Sequence, residues 1–240
     1  MKKFVKFLLL LTLGFGCSEP EEPLQFEEKS VEINESVTIE VNYPFYIGDS
    51  DRANAINSEL QNVIANSMNP MDTLKNVSVE EAAKLFKMSF DQFKKDFNDT
   101  NQRWEAFIDA EETYRSPEVL SIGINSYVDT GGAHGNTVIN ILNFNPIDGS
   151  VYQKEDLLIA NDGLEKIVKQ YFLDAIQKKT IKSDLKDYFF GEDFHLPENI
   201  GYSDEGVIFL YNTYEASAYH LGITEFEIPF NEISEYLNVQ

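Results

Sequence analysis

Apolar residues fall on alternate positions from Val31 to Val41. Val31, Ile33, Val37, Ile39 and Val41 are separated by Glu32, Asn34, Thr38, Glu40 and Asn42. A period of two is a strand with one buried face and one wet face. The alternation slips at Glu35-Ser36, where a turn or bulge fits, and Pro44 marks an edge or a strand end.

The period then changes. Asp49-Ser50-Asp51 offers N-cap residues, and Ala53, Ile56, Leu60, Val63 and Ile64 recur at helical spacing. This predicts an amphipathic helix over about 50–67, closed by Asn69-Pro70. Ser78-Val79-Glu80-Glu81 reads as a capping box. Ala82, Leu85, Phe86, Phe90, Phe93 and Phe97 follow it on one face, a stripe assigned to core packing.

Strand patterns return over 103–114, 119–127 and 138–144, and Asp148-Gly149 signals a tight turn. A helix fits 162–179, strands fit 207–211 and 226–230, and a short helix fits 230–237. No internal repeat is present. Strands and helices mix without βαβ regularity, so the fold class is α+β: an antiparallel sheet with packed helices.

Charge narrows the function classes. The 240 residues carry 41 acids against 19 bases, a net charge of −22. Duplex binding rests on cations that displace phosphate counterions, so a charge-driven nucleic-acid role is excluded. The single cysteine, Cys17, leaves no intrachain disulfide framework.

Residues 1–16 read as a signal peptide. Lys2, Lys3 and Lys6 precede the run Phe7–Leu13, and Gly14-Phe15-Gly16-Cys17 follows. The run is short of the ~20 residues that span a bilayer. Cys17 stands at the cut and resembles the lipobox of bacterial lipoproteins, which implies acylation of Cys17, palmitate included, and anchoring to a membrane. Buried methylenes hold such an anchor at about 0.8 kcal/mol each. Cleavage removes three lysines and no acid, leaving 16 bases against 41 acids, or −25. Residues 17–28 form an acidic tether, and Ser18-Glu19-Pro20-Glu21-Glu22-Pro23 resembles the tag that directs some lipoproteins to the outer face of the cell. The expected location is the cell envelope, at the outer membrane, facing either the periplasm or the exterior.

Two stretches carry a wider resemblance. One is Asp129-Thr130-Gly131-Gly132-Ala133-His134-Gly135-Asn136-Thr137 with Asn143-Phe144-Asn145, the Asp148-Gly149 turn and Asp156-Leu157-Leu158. The other is Ser203–Phe209, Asn212–Tyr219, Gly222-Ile223 and Glu227–Phe230. They resemble a pair of bacterial domains of unknown function that occur in tandem, as in the ectodomain of the anti-sigma factor RsiV. The first also precedes the catalytic domain of the peptidoglycan deacetylase PdaC. The resemblance implies two small mixed domains, 29–148 and 149–240, the second likened to a subdomain of the Hsp70 ATPase. It further implies a binding module outside the membrane, with lysozyme, a basic protein, as the ligand of the RsiV ectodomain. The chain lacks a sigma-binding segment, a transmembrane helix and a deacetylase domain, so only capture carries over.

The residues themselves offer little catalysis. Gly131–Gly135 joins two predicted strands rather than a strand and a helix, so it is no phosphate loop. It reads either as a hairpin connection with His134 bonded to backbone, or as exposed amides and an imidazole that receive a ligand. His134, His195 and His220 show none of the short metal-ligand spacings. No nucleophile elbow is present, and an acid pair such as Glu111-Glu112 reads as solvated face. Tyr211, Tyr214 and Tyr219 serve as interface anchors or cover a sheet edge. The sequence therefore predicts a non-enzymatic, lipid-anchored envelope module without cofactor or metal. It takes a cationic protein such as lysozyme, or peptidoglycan or another wall component, around Gly131, Gly132, His134, Gly135, Tyr214 and Tyr219. A wall-glycan hydrolase using His134 and a structural scaffold lipoprotein are the alternatives.

Overall fold

The computed structural model describes residues 24–48, 50–69 and 73–240. Cys17, the signal segment ahead of it, and Ser18–Pro23 lie outside these residues, as does the Pro70 helix stop.

The chain is α+β, as the changing period predicts. Five strands, β1 (Gln25–Asn34), β2 (Thr38–Ile47), β3 (Glu105–Arg115), β4 (Leu120–Asp129) and β5 (Asn136–Phe144), lie in sequence order in one sheet. The Glu35-Ser36 slip is the turn of the β1–β2 hairpin. β1 begins at Gln25, so the last residues assigned to the tether are strand. The sheet is not wholly antiparallel, because β2 and β3 run parallel. Parallel neighbours need a long crossover, and α1 (Asp51–Met68) with α2 (Val79–Asp96) supplies it.

Both helices cover one face of the sheet. Ser50 caps α1 by accepting from the Ala53 amide, and Ser78 caps α2 by accepting from the Glu81 amide. Ile56, Leu60 and Ile64 pack with Ile39, Val41, Ile122 and Ile124 in a single cluster. Phe86, Phe90 and Phe93 surround Trp104 with ring centroids 5.4–5.7 Å apart. Phe97, the last of that stripe, is 61% exposed and lies past the end of α2 as its C-cap. Asn57 is buried in α1 and holds both backbone groups of Tyr46 in β2, each at 2.8 Å.

A second cluster centres on Phe172 of α4 (Asp162–Lys178). Its ring meets Tyr188, Phe189, Phe194 and Tyr211. It packs on an antiparallel sheet of β6 (Asn199–Tyr202), β7 (Gly206–Tyr211) and β8 (Thr224–Pro229). A short α3 (Lys154–Leu157) precedes α4, and α5 (Phe230–Ile233) runs into a 3-10 turn. The β6 strand and α3 had no periodic signal. Among the described residues no helix is long and apolar enough to cross a membrane.

The two sheets meet at β4 and β5. The Tyr202 amide donates to Ser121 Oγ, and Asn143 Nδ2 donates to the Ile200 carbonyl. The outer edge of β5 would be open, but side chains from the second sheet close it. Asn212 Oδ1 accepts from the Ile139 amide, Asn212 Nδ2 donates to the Ile139 carbonyl, and Asn199 Oδ1 accepts from the Ile141 amide, all at 2.8–2.9 Å. Edge strands invite unwanted pairing, and these asparagines occupy the edge instead.

Candidate functional site

The Gly131–Gly135 loop joins β4 to β5. Asp129 Oδ1 accepts from the Gly131 amide at 2.7 Å, and Gln102 Nε2 donates to the Gly131 carbonyl at 2.6 Å. Gly131 sits at φ +77°, a region that side chains avoid. Gly135 is buried, and a Cβ there would come within 2.3–2.5 Å of the Tyr127 phenol. Its glycine therefore lets Tyr127 lie against the backbone.

The loop meets the second unit at this point. The His134 ring stacks on Tyr219, with centroids 3.8 Å apart and planes 19° from parallel. The Gly135 carbonyl accepts from the Tyr219 hydroxyl at 3.1 Å and lies 2.9 Å from His134 Nδ1. A carbonyl only accepts, so Nδ1 is the donor in that bond. Tyr214 lies 6.0 Å from Tyr219, 60% exposed and at φ +70°. A bulky residue held left-handed is backbone strain, which collects at functional positions. Thus Gly131, Gly132, His134, Gly135, Tyr214 and Tyr219, from two distant stretches, come together in one seam. Tyr211 does not join them; it is buried, and its hydroxyl donates to the His195 carbonyl. The three histidines stay apart in role: His195 meets Phe189 edge-on and His220 is exposed.

Beside the seam lies the sheet face that the helices do not cover. Strand alternation and pairing place Glu28 and Glu32 of β1, Glu40 of β2, Glu105, Asp109 and Glu111 of β3, and Asp129 of β4 on it. No strand position on that face carries lysine or arginine. Phe107 and Tyr127 stack there at 6.2 Å and run toward Tyr219. Desolvation, then the Asp129 and Glu105 carboxylates, push the Tyr127 phenol above its ordinary range. The second sheet shields the β4–β5 side and the Tyr114 end of β3. The Glu111-Glu112 pair divides: Glu111 is exposed on the open face, whereas Glu112 binds Arg115 and the Tyr46 hydroxyl. The sequence shows no such gathering of acids, because the strands that carry it are far apart in the chain.

Residues 30–137 match the family model described as Deacetylase PdaC, and residues 155–231 match that described as Protein of unknown function (DUF3298). The two matches lie one after the other along the chain. A DUF3298 family structure from Bacteroides fragilis NCTC 9343 superposes at TM-score 0.63 with 17% identity, over 90% of this chain and 95% of its own. A DUF3298 family protein from Pseudomonas aeruginosa PAO1 gives TM-score 0.61 and 16% identity at the same coverages. At such identities the likeness is one of fold, and it spans the PdaC-type and DUF3298 regions together. No curated protein matches the chain.

Proposed function

We propose that the chain is a non-catalytic capture module, held at the outer face of the cell envelope by acylation of Cys17, whose open sheet face receives a cationic protein such as lysozyme. The observation that carries this reading is the sorting of seven carboxylates onto one face with no base among its strand positions. Such a face steers a cationic partner and raises its encounter rate. Phe107 and Tyr127 lie among the acids and, with the exposed ring of Tyr214 at the seam, offer aromatic surface to lysine and arginine. The hydrolase reading has less support. His134 is committed to a stack and a backbone carbonyl, and no carboxylate bonds to it among the described residues.

The test is surface plasmon resonance of the full chain in mild detergent with a basic lysozyme. Binding is expected at low salt, to weaken as salt rises, and to fall in the triple variant Glu40→Gln, Glu105→Gln, Asp109→Asn. Absence of binding at low salt, or equal binding by the triple variant, ends the proposal. The anchor is tested separately. Cys17→Ser should abolish palmitate labelling and release the chain from the membrane fraction; unaltered fractionation removes the anchor.

A further inference from the structure

The opposite face of the sheet carries a second feature. A cleft of about 520 Å³ lies between α1 and the ends of β4 and β5, within the ~300–1,000 Å³ range of small-molecule sites. Charged residues make up 25% of the chain, so about three of the twelve lining positions would be charged by composition. None is, among the described residues. Its walls are amides, hydroxyls and the His134 imidazole, with Val63, Val128 and Val138 as apolar ground.

Several of those polar groups are unused. Asn136, Asn140 and Thr130 make no side-chain hydrogen bond among the described residues, whereas Asn66 is spent on holding Leu74. Gly132 forms part of the lip. Its φ is not left-handed, and a Cβ there would find its nearest neighbour, the His134 carbonyl, at 3.9 Å. Neither conformation nor packing requires glycine at 132; the space above it opens on the cleft.

We propose that this cleft binds an uncharged saccharide, with Asn136 and Asn140 as its principal polar contacts. A primary amide both donates and accepts, matching a hydroxyl or an acylamido group that does the same. Valines suit the C–H face of a sugar ring, and an ionic ligand would meet no Asp, Glu, Lys or Arg side chain among the lining residues. A peptide strand is disfavoured because the β5 edge it would extend is taken by Asn199 and Asn212. The cleft shares Gly132 and His134 with the seam but lies on the other face of the sheet from the acids, and it stands whether or not the acidic face captures a protein.

The experiment is calorimetric titration of the full chain in mild detergent with N-acetylchitotriose, maltotriose and an uncharged tripeptide. A saccharide should bind with an affinity insensitive to salt. Preference for N-acetylchitotriose points to an acylamido sugar, as in wall glycan; equal binding points to a plain polysaccharide. Asn140→Val and Gly132→Leu should each weaken binding at least about tenfold. If Asn140→Val does not fold, as judged by circular dichroism, Gly132→Leu decides, since its side chain enters open space. No saccharide binding at millimolar concentration, binding unchanged by Gly132→Leu, or binding of the tripeptide in their place overturns the proposal. Salt dependence separates this outcome from failure of the acidic face, whose binding must weaken with salt.

Discussion

Asn212→Ala tests whether the DUF3298 region holds β5 in place. Asn212 makes two hydrogen bonds to one residue, accepting from the Ile139 amide at 2.9 Å and donating to its carbonyl at 2.8 Å. Each neutral bond contributes about 0.5–1.5 kcal/mol net, so losing both costs about 1–3 kcal/mol. Ile139 is half-buried, and water can reach the freed groups, which places the cost toward the lower end, about 1.5 kcal/mol. That is roughly a tenfold change in a local opening equilibrium. Asn212→Asp discriminates further. A carboxylate still accepts from the amide, but it cannot donate and sets negative charge against the Ile139 carbonyl. It should cost at least as much as alanine. The assay is amide hydrogen exchange at Ile139 and Ile141, with urea unfolding for global stability. Exchange at Ile139 should quicken about tenfold beyond any change at α1 amides. Unchanged exchange at Ile139, or full protection in Asn212→Asp, refutes the clamp.

Other perturbations reach different parts of the molecule. Gly135→Ala should displace Tyr127, break the Tyr219 contact and weaken capture of a basic protein while circular dichroism stays native; unchanged association would uncouple the loop from the face. Asn57→Ala leaves both backbone groups of Tyr46 without partners inside the core, and the urea midpoint should fall by the equivalent of about 2–4 kcal/mol; a loss under about 1 kcal/mol contradicts the burial. Stability should fall above pH ~10. Desolvation raises the phenols of Tyr46, Tyr202 and Tyr211, reinforced by Glu112, Tyr114 and Glu215 respectively. Above the unfolded tyrosine pKa the unfolded chain has released protons that the fold still holds, so each tyrosine subtracts up to about 1.4 kcal/mol per pH unit. Lys179, depressed by desolvation, acts in the opposite sense below its unfolded pKa, one group against three. A urea midpoint that stays level from pH ~9 to ~11 would contradict this sign.

The parts of the fold that sequence reveals are those whose cause is local. Val31–Val41 alternates because each strand of the β1–β2 hairpin has two faces, and the Phe86–Phe90–Phe93 stripe recurs because one helix has a buried side. Both signals live within a dozen residues. The parallel β2–β3 pairing has no local signature, because α1 and α2 separate its partners. β6 is four residues long, with Gly201 inside it, too short for a period to show. The seam was half legible. The glycine run and the tyrosines each stood out, but His134 and Tyr219 are 85 positions apart, and only the packing of two sheets stacks them.

Asparagine explains most of what was hidden. In a sequence its side chain reads as turn or solvent, and hydrophobic periodicity passes over it. Here Asn57 replaces a missing backbone partner for β2, Asn66 does so for Leu74, and Asn199 with Asn212 closes β5. The primary amide can do this because it presents a donor and an acceptor at about the spacing of a peptide group. Such a side chain satisfies backbone that no strand pairs, without adding charge to a chain that already carries 41 acids. The same chemistry, left unspent at Asn136 and Asn140, gives the cleft its character. An amide that bonds backbone is architecture; an amide beside a cavity with no partner among the described residues is one a ligand can use. Burial alone does not separate these cases, since Asn66 and Asn140 are both half-buried. The hydrogen-bond partner separates them, and a partner 58 or 73 residues away is visible only once the chain is folded.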